Sequence, residues 1–449
     1  MKRFAASIGL VALGAASVQA AYSPGLDSME ASKPWSISAS LRGFYDDNLN
    51  DAPNGYRVGT FGFEISPAAT LNWALDQTLL SLGYVYSFSE YDHLPYNNTE
   101  KYDQTHSFNL ALNHTFSERY RLNVTDSFVI GQDPDFLRAG NTFDTFFRAS
   151  GNNIRNYGTI NFDAQITRLL GIEVGYANAL YDYADDTVSV DPNTGIVNSA
   201  SNAGLLNRLE HTIHFDTRWQ ILPDTIGVVG YRFGEVDYTG NQAVYGDTSI
   251  PPSLWPLLAN TPYAGLVPIY SSNRNNRSHT GYVGFEHIFL PNLMLAVRGG
   301  VDYSDYYNYF ITSTSLTPYA LMTLSYTYMK EGSVEIGFTY DRTASYRISE
   351  SGNGNITQDA ESATVWASID QRIMPNLYGH IIGQFQNSMY NGGGIDNESD
   401  KFYLVGVNLS YRFNPHLSAD VGYNFDLLDT NLGDGYDKNR VYMGVSARY

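Results

Sequence analysis

Hydrophobic and polar residues alternate one by one along most of this chain. In residues 417–426 the apolar side chains occupy every second position: Leu417, Ala419, Val421, Tyr423 and Phe425. The same period occurs in 403–412 and 333–341. Successive side chains of a β-strand point to opposite faces, so this period predicts strands with one apolar and one polar face. Each run has roughly 9–14 residues, enough to cross a bilayer at a tilt.

The predicted strands are joined alternately by short turns and long loops. Eight short turns rich in Asp, Asn, Gly and Pro lie at 74–77, 117–119, 168–171, 222–224, 290–292, 329–332, 374–376 and 413–416. Nine long polar segments lie at 46–57, 90–105, 131–153, 184–207, 240–276, 305–315, 346–361, 390–400 and 428–439. The turn composition is typical of tight hairpins. Nine loops and eight turns require 18 antiparallel strands with both chain ends on the short-turn side.

The alternation also predicts which face meets lipid. A charge at mid-bilayer is costly, whereas a charge inside a barrel can be hydrated, so the apolar face should point outward. The sheet must close, because an open edge would leave unpaired amides in hydrocarbon. A soluble barrel or sandwich reverses this pattern. The sequence therefore predicts an all-β, transmembrane, antiparallel up-and-down β-barrel of about 18 strands, with short periplasmic turns and long extracellular loops.

Aromatic residues on the apolar face cluster near the short turns, as an interfacial girdle would. They are Trp35, Trp73, Phe116, Tyr120, Trp219, Phe289, Tyr328 and Tyr411. Four polar residues fall on the lipid parity of their strands and do not fit the pattern: Asp126, His114, His211 and Asn178. Either they lie near the membrane interfaces or the strand register slips there.

The amino terminus predicts export. Lys2 and Arg3 precede a short apolar run, and 18–20 forms a small-residue cleavage site. We expect a signal peptide at 1–20, a short periplasmic segment at 21–34 and the barrel at 35–449. No later stretch is apolar enough for a membrane helix. The chain has 0 Cys, which excludes a lipoprotein anchor, disulfides and thiolate metal sites.

Composition refines this interpretation. The net charge of −19 makes nucleic acid a poor partner. The mean hydropathy of −0.27 alone would indicate a soluble protein. In a membrane-spanning barrel, however, only alternate residues face lipid, so the mean hydropathy of the chain stays low. The 36 Tyr and 23 Phe fit a wall that is apolar outside and polar inside. Acidic clusters in the loops lack the spacing of a calcium loop and are interpreted as solvated surface charge.

The last strand ends in Val441, Met443, Val445, Ala447 and the terminal aromatic Tyr449. Together with the signal peptide, the Pro–Asn hairpins and the Tyr-rich alternation, it makes the mature chain resemble the Putative beta-barrel porin 2 family. The resemblance implies a bacterial outer-membrane channel, with some members tied to exopolysaccharide export, and it supplies no catalytic residues. A strand ending in an aromatic residue also resembles the signal that barrel-assembly machinery binds.

Charged residues on the inward parity are candidate pore-lining groups. They are Arg42, Glu64, Arg121, Asp163, Glu173, Asp216, Arg218, Arg232, Glu286, Arg298, Asp302, Glu335, Asp370, Arg372, Arg412 and Asp420. Arginines facing carboxylates across a pore create a transverse field; alternatively, the pairs simply hold the wall together. Acidic residues outnumber arginines, which predicts a weak preference for cations.

Two long loops are candidate constrictions. The third contains Phe136, Arg138, Phe143, Phe146, Phe147 and Arg148. The fifth, 240–276, is unusually apolar around Trp255, and an apolar patch left in water usually marks a contact. This loop could plug the lumen, bind a partner or cap the rim.

The leading hypothesis is passive diffusion of ions and small hydrophilic solutes across the outer membrane of a Gram-negative bacterium. A second is an exopolysaccharide export or saccharide-specific channel, and a third is a non-conducting adhesion or assembly barrel. No enzyme is expected, because the histidines are scattered, and no cofactor or metal. Expected partners are outer-membrane lipid, lipopolysaccharide, barrel-assembly machinery and the solutes or saccharides; the oligomeric state stays open.

Overall fold

The protein is described by a computed structural model covering residues 33–92, 101–132, 151–258, 261, 263–308, 313–352 and 354–449. The predicted signal peptide at 1–20 lies outside the described residues, as does nearly all of the predicted periplasmic segment at 21–34. No helix in these ranges is long and apolar enough to span a membrane.

Eighteen long strands form one sheet. They are β1 Trp35–Asp46, β2 Thr60–Ala74, β3 Thr78–Tyr91, β4 Tyr102–Ser117, β5 Tyr120–Gly131, β6 Asn153–Gln165, β7 Leu170–Tyr183, β8 Arg208–Leu222, β9 Thr225–Tyr238, β10 Asn276–Leu290, β11 Leu293–Asp305, β12 Thr314–Met329, β13 Gly332–Ala344, β14 Thr357–Met374, β15 Leu377–Gly392, β16 Ser399–Asn414, β17 Leu417–Thr430 and β18 Tyr436–Arg448. The predicted strand number is confirmed.

The sheet closes into a barrel. Each strand pairs antiparallel with its neighbours in sequence, and β1 pairs with β18 from Ser38↔Arg448 to Asp46↔Arg440. All eight short turns and all nine long connections lie where the sequence predicts them, on opposite ends of the barrel. We call these the short-turn end and the long-loop end. The predicted antiparallel up-and-down barrel is therefore confirmed.

The barrel is apolar outside and polar inside. On β1 the side chains of Ile37 and Leu41 are 57% and 51% exposed, whereas those of Ser40 and Arg42 are 5% exposed. Exposed apolar side chains recur on every second position around the barrel, including Val421 at 47% and Val445 at 48%. A soluble protein buries these residues instead, so this outer surface matches a hydrocarbon environment.

Aromatic side chains surround the short-turn end. Trp35, Trp219 and Phe289 are 47%, 49% and 54% exposed there. The misfit residue His114 belongs to this girdle. Its Nδ1 lies 2.7 Å from the Thr78 hydroxyl, and its ring packs 4.3 Å from Phe116. A polar ring close to the short turn can reach the membrane interface, so His114 does not contradict the assigned faces.

The fifth long loop packs against other loops at the long-loop end. Val244 and Ile269 from this loop form an apolar cluster with Tyr306 and Ile356, and each of the four is at most 4% exposed. We call it the loop core. Trp255 begins a short helix, Trp255–Leu258, and its indole donates to the Ile250 carbonyl at 3.0 Å. The loop core thus buries the apolar residues near both ends of this loop, whereas Leu254 and Leu257 beside Trp255 stay 43% and 68% exposed.

Two arginines link the loops further. Arg274 is fully buried, donates to the Leu205 carbonyl at 3.1 Å and to that of Ser345, and lies 4.2 Å over the Tyr238 ring. Burial lowers the pKa of its guanidinium. Arg347 pairs with Asp400 at 2.8 Å and Asp434 at 2.7 Å, which joins two connections to the start of β16.

Candidate transport lumen

One part of the inner wall carries small polar side chains. Thr125 and Asn113 are exposed although their strand parity points inward, and the hydroxyls of Thr125 and Thr159 lie 2.6 Å apart. Several of their inward neighbours, such as Asn123 and Asn109, are half-buried and also small. We call this part the small polar face; it comprises Ser87, Asn109, Asn113, Asn123, Thr125 and Thr159 on β3 to β6. Short uncharged side chains leave space and offer hydrogen bonds to water or solutes.

A charged cluster lies beside the small polar face, on β7 to β11. Arg218 donates to Glu173 at 2.8 Å and also pairs with Glu286. Arg298 lies 3.2 Å from Asp216, whose other oxygen accepts from the Tyr282 hydroxyl. These side chains meet because alternate residues of adjacent strands project from the same face. The sequence left two arrangements open, arginines facing carboxylates across the pore and ion pairs along the wall. The contacts in this cluster are ion pairs along the wall.

One ion pair spans several strands. Arg232 on β9 donates to Asp341 on β13 through two hydrogen bonds of 2.7 and 2.8 Å. Four strand spacings of about 4.8 Å separate these strands, or about 19 Å along the sheet. The two side chains cannot bridge that path on a flat wall, so they meet on the inside of the curved, closed sheet. Arg232 also lies 4.9 Å over Tyr319. We call this contact the Arg232–Asp341 bridge.

A second, smaller charged group lies at the strand closure. Arg42 on β1 is 3.4 Å from Asp420 on β17 and 3.8 Å from Glu64 on β2. Its guanidinium also lies 4.9 Å over the Tyr442 ring. Two carboxylates therefore share one arginine. In the larger cluster, too, carboxylates outnumber arginines.

Large rings lie flat against the inner wall over glycines. Trp366 covers Gly337, and Tyr442 covers Gly422, so that a Cβ on either glycine would overlap the ring. The rings are only 4% and 3% exposed. A glycine leaves a recess in the wall that a neighbouring ring fills. These aromatic side chains therefore pack against the wall and are closed off from the lumen by their neighbours.

The other predicted pore-lining residues are distributed around the wall. Arg121 and Asp163 are cross-strand neighbours. Asp302 lies 4.0 Å from Arg232, Glu335 accepts from Ser325 at 3.2 Å, and Asp370 accepts from His380 at 2.6 Å. Two arginines lie nearer the short turns: Arg372, paired with Glu331 at 2.7 Å, and Arg412, 4.3 Å over Tyr378. Their role in lining a pore stays a prediction.

The constriction prediction for the third loop falls on Phe136, Arg138, Phe143, Phe146, Phe147 and Arg148, which lie outside the described residues. Trp255 packs 5.9 Å from Tyr270 of its own loop. Within the described ranges, no group of three or more His, Asp and Glu side chains is arranged to hold a metal ion.

Sequence reasoning missed the aromatic part of the charged cluster. Tyr282 and Tyr319, with ring centroids 5.4 Å apart, lie beside Arg298 and Arg232. A usable signal was present, because Tyr282 occupies an inward position whose cross-strand neighbours Gly230 and Gly300 are both glycines. A large inward residue between glycines indicates a ring lying on the wall.

Comparison with solved structures gives matches over nearly the whole chain. Acinetobacter baumannii OccAB4 is 13% identical with a TM-score of 0.44, covering 93% of this chain and 99% of that one. Pseudomonas aeruginosa OpdK with vanillate is 12% identical with a TM-score of 0.41, covering 92% and 99%. Pseudomonas aeruginosa OpdQ is 10% identical with a TM-score of 0.41, covering 92% and 97%.

Comparison with protein families is more specific. No curated protein matches the sequence. A family model does match, over β14 to β18 and the connections between them. The family resemblance is thereby confirmed for residues 359–449, which match the model of the Putative beta-barrel porin 2 family.

Proposed function

We propose that this protein is a porin-type channel for passive diffusion of ions and small hydrophilic solutes across a bacterial outer membrane. The observation that carries the proposal is a closed barrel of 18 strands whose outer wall is apolar and whose inner wall includes the exposed Thr125 and Asn113. Barrels of 16–18 strands leave an aqueous channel. The family match and the fold point to a channel rather than an enzyme.

The wall charges support weak cation selectivity. Across the charged cluster and the Arg232–Asp341 bridge, three arginines pair with five carboxylates: Arg218, Arg232 and Arg298 with Glu173, Asp216, Glu286, Asp302 and Asp341. The Arg42 group likewise holds two carboxylates around one arginine. A net negative wall raises the local concentration of cations in the lumen.

The saccharide hypothesis receives less support from the contacts. A sugar-binding channel needs aromatic faces that sugars can reach, but Trp366, Tyr442 and Tyr282 are at most 5% exposed. The small polar face has no aromatic member. On this face a saccharide would depend on hydrogen bonds from Asn, Ser and Thr side chains, and the nearest inward ring, Tyr157 on β6, is half-buried.

The membrane orientation follows from the two barrel ends. We assign the short-turn end to the periplasm and the long-loop end, with its loop core, to the cell exterior. Lipid contacts the apolar outer wall, and lipopolysaccharide would contact the rim near the loops. The final strand, with Tyr449 packed 5.7 Å from Trp35 at the closure, is the segment that we expect barrel-assembly machinery to bind.

Planar-bilayer recording tests the proposal. Purified, refolded protein should give steady open conductance, and under a salt gradient the reversal potential should indicate more permeant cations than anions. Adding oligosaccharides should leave the current unchanged, whereas a sugar-blocked current would favour the saccharide channel. No conductance from protein whose gel mobility shifts on heating, and which is therefore folded, would contradict the channel and favour an adhesion or assembly barrel.

A further inference from the structure

Three histidines on the outer wall make the same contact near the long-loop end. Each is the fourth or fifth residue of a strand that follows a long loop: His106 on β4, His211 on β8 and His279 on β10. Their Nδ1 atoms lie 2.9, 2.8 and 2.6 Å from the hydroxyls of tyrosines on the preceding strand, which are Tyr84, Tyr176 and Tyr231. We call these three pairs the Tyr–His belt.

Strand register places the belt at one height of the barrel. Glu235 opposes His211, Arg277 opposes Glu235, and His279 lies two residues further along β10. Positions at one height shift by about one residue per strand when strands tilt by about 40°, so two strand steps account for this offset. The offset of four residues over four strands between His106 and His211 follows the same rule. The three imidazoles therefore form one row on this side of the barrel.

The belt lies at the edge of the apolar outer wall. Ile213 and Val283, toward the short turns, are 47% and 62% exposed. β4 and β10 carry a second histidine eight residues beyond the belt, His114 and His287, close to the short turns. Eight residues span about 27 Å along a strand and about 21 Å across the membrane at this tilt, close to the apolar band of about 25 Å in such barrels. The belt therefore lies at the exterior boundary of the hydrocarbon, which explains the sequence misfit His211 without a slip of register.

Each belt imidazole keeps one ring nitrogen for a group outside the protein. A tyrosine hydroxyl that donates to Nδ1 leaves the ring proton on Nε2. Within the described ranges, Nε2 of these three histidines has no hydrogen-bond partner. Tyr423 and Asn439 repeat the contact at 2.7 Å on β17 and β18, but that amide also donates to Asp47 at 2.8 Å. The unpaired imidazole donors thus lie on the side of the barrel from β4 to β10.

A guanidinium lies beside two members of the belt. Arg277 precedes His279 by two residues on β10, and its side chain is 51% exposed. Its Nε and Nη2 both contact one oxygen of Glu235 at 2.9 Å, so Nη1 is left for another acceptor. The next carboxylate, Asp237, already accepts from the Tyr307 hydroxyl at 2.6 Å. Arg277 and two imidazoles therefore present N–H donors along one stretch of the exterior boundary.

We propose that His211, Arg277 and His279 bind the phosphate groups of lipopolysaccharide in the outer leaflet. Phosphates of a membrane lipid lie just outside the hydrocarbon, at the height of the belt. Their oxygens accept N–H hydrogen bonds, and a guanidinium binds phosphate strongly. The acyl chains of the same lipid would cover the apolar wall at Ile213 and Val283. The inference rests on the proposed orientation of the long-loop end, but it does not depend on conduction.

Chemical labelling of histidine tests the contact on the parent protein. Diethyl pyrocarbonate acylates unhindered imidazole nitrogens, and mass spectrometry reads each site separately. Lipid A, the phosphorylated lipid part of lipopolysaccharide, should slow the labelling of His211 and His279 in the detergent-solubilised barrel and leave that of His287 unchanged. Dephosphorylated lipid A should protect both histidines much less. Equal protection by the two lipids, protection by inorganic phosphate alone, or no protection would each overturn the proposal.

Substitutions test the donors one at a time. His279→Phe keeps a ring but removes the N–H group, and Arg277→Gln removes the guanidinium. Each should weaken lipid A binding about ten-fold, which is about 1.4 kcal/mol, in a titration followed by native mass spectrometry. His287→Phe, on the same strand at the short-turn end, is the matched control and should bind lipid A like the parent protein.

Heat-shifted gel mobility identifies the variants that still fold. Folded His279→Phe and Arg277→Gln proteins that keep the parent affinity for lipid A would exclude this site. Conductance in phospholipid bilayers reports separately on the proposed channel and should not change in either variant.

Discussion

At the scale of residues, the inner wall is built by pairing large rings with glycines. Trp366 and Tyr442 each contact a glycine of the neighbouring strand on one side and are covered by other inward side chains as well, such as Arg42 over Tyr442. Alternation along one strand predicts only that these residues point inward. Whether an inward ring projects into water or lies on the wall depends on the residue opposite it, which is set by register. The glycines therefore help to determine the shape of the inner wall, because they leave the space that the neighbouring rings occupy.

Gly337→Ala should destabilise the barrel, because the added methyl group overlaps the Trp366 ring and forces it from the wall. Overpacking of this kind costs about 1–3 kcal/mol. The midpoint of urea unfolding in detergent, followed by circular dichroism, measures the loss. Gly281→Ala is the control, since a Cβ there meets nothing within 4 Å. Equal midpoints for the two variants would show that the ring does not depend on Gly337.

The Arg232–Asp341 bridge gives a paired prediction for selectivity. Arg232→Gln leaves Asp341 without its partner and should raise the ratio of cation to anion permeability. Asp341→Asn should lower the same ratio, because the unpaired charge is then positive. Reversal potentials under a salt gradient measure both shifts. Arg277→Gln removes one positive charge from the outer surface, where Arg277 pairs with Glu235, and should change nothing. Shifts of equal sign would contradict the assigned positions.

At the scale of elements, the strands and turns were predictable and their lateral arrangement was not. Pro291–Asn292 and Pro375–Asn376 fix turns locally, and an apolar residue at every second position fixes the faces. The Arg232–Asp341 bridge depends on how sharply four strand spacings curve, which no single strand encodes. The loop core could not be predicted either, because Val244, Ile269 and Ile356 come from separate segments, and the pattern within one segment does not indicate contacts with another.

Ile269→Ala should loosen the loop core without affecting the barrel. Ile269 is fully buried among loop residues, so the substitution leaves a cavity costing about 2–5 kcal/mol locally. Limited proteolysis of refolded protein should cut the 239–275 segment faster, while the temperature at which gel mobility shifts stays the same. Leu257→Ala, at a position of the same loop that is 68% exposed, serves as the control. Unchanged cleavage would mean that the loop is held by other contacts.

At the scale of the whole molecule, the lumen has two unlike sides. The small polar face on β3 to β6 leaves side chains half-buried or exposed, whereas the inner wall on β14 to β16 buries Thr364, Ile382 and Leu404 to 2% exposure or less. Solutes would therefore pass along the small polar face, with the charged cluster beside their route. If the protein conducts as proposed, we expect the cluster to influence permeating ions through its field and not through direct coordination.

A field that acts at a distance through water is screened by salt. The Debye length falls from about 10 Å at 0.1 M to about 3 Å at 1 M, so the cation preference should decline steeply over this range. Reversal potentials at a fixed concentration ratio and increasing absolute salt measure the decline. Ions that shed water and bind carboxylates directly are screened far less. A cation preference that persists at 1 M salt would therefore indicate a narrow, partly dehydrated passage instead of a wide lumen beside a charged wall.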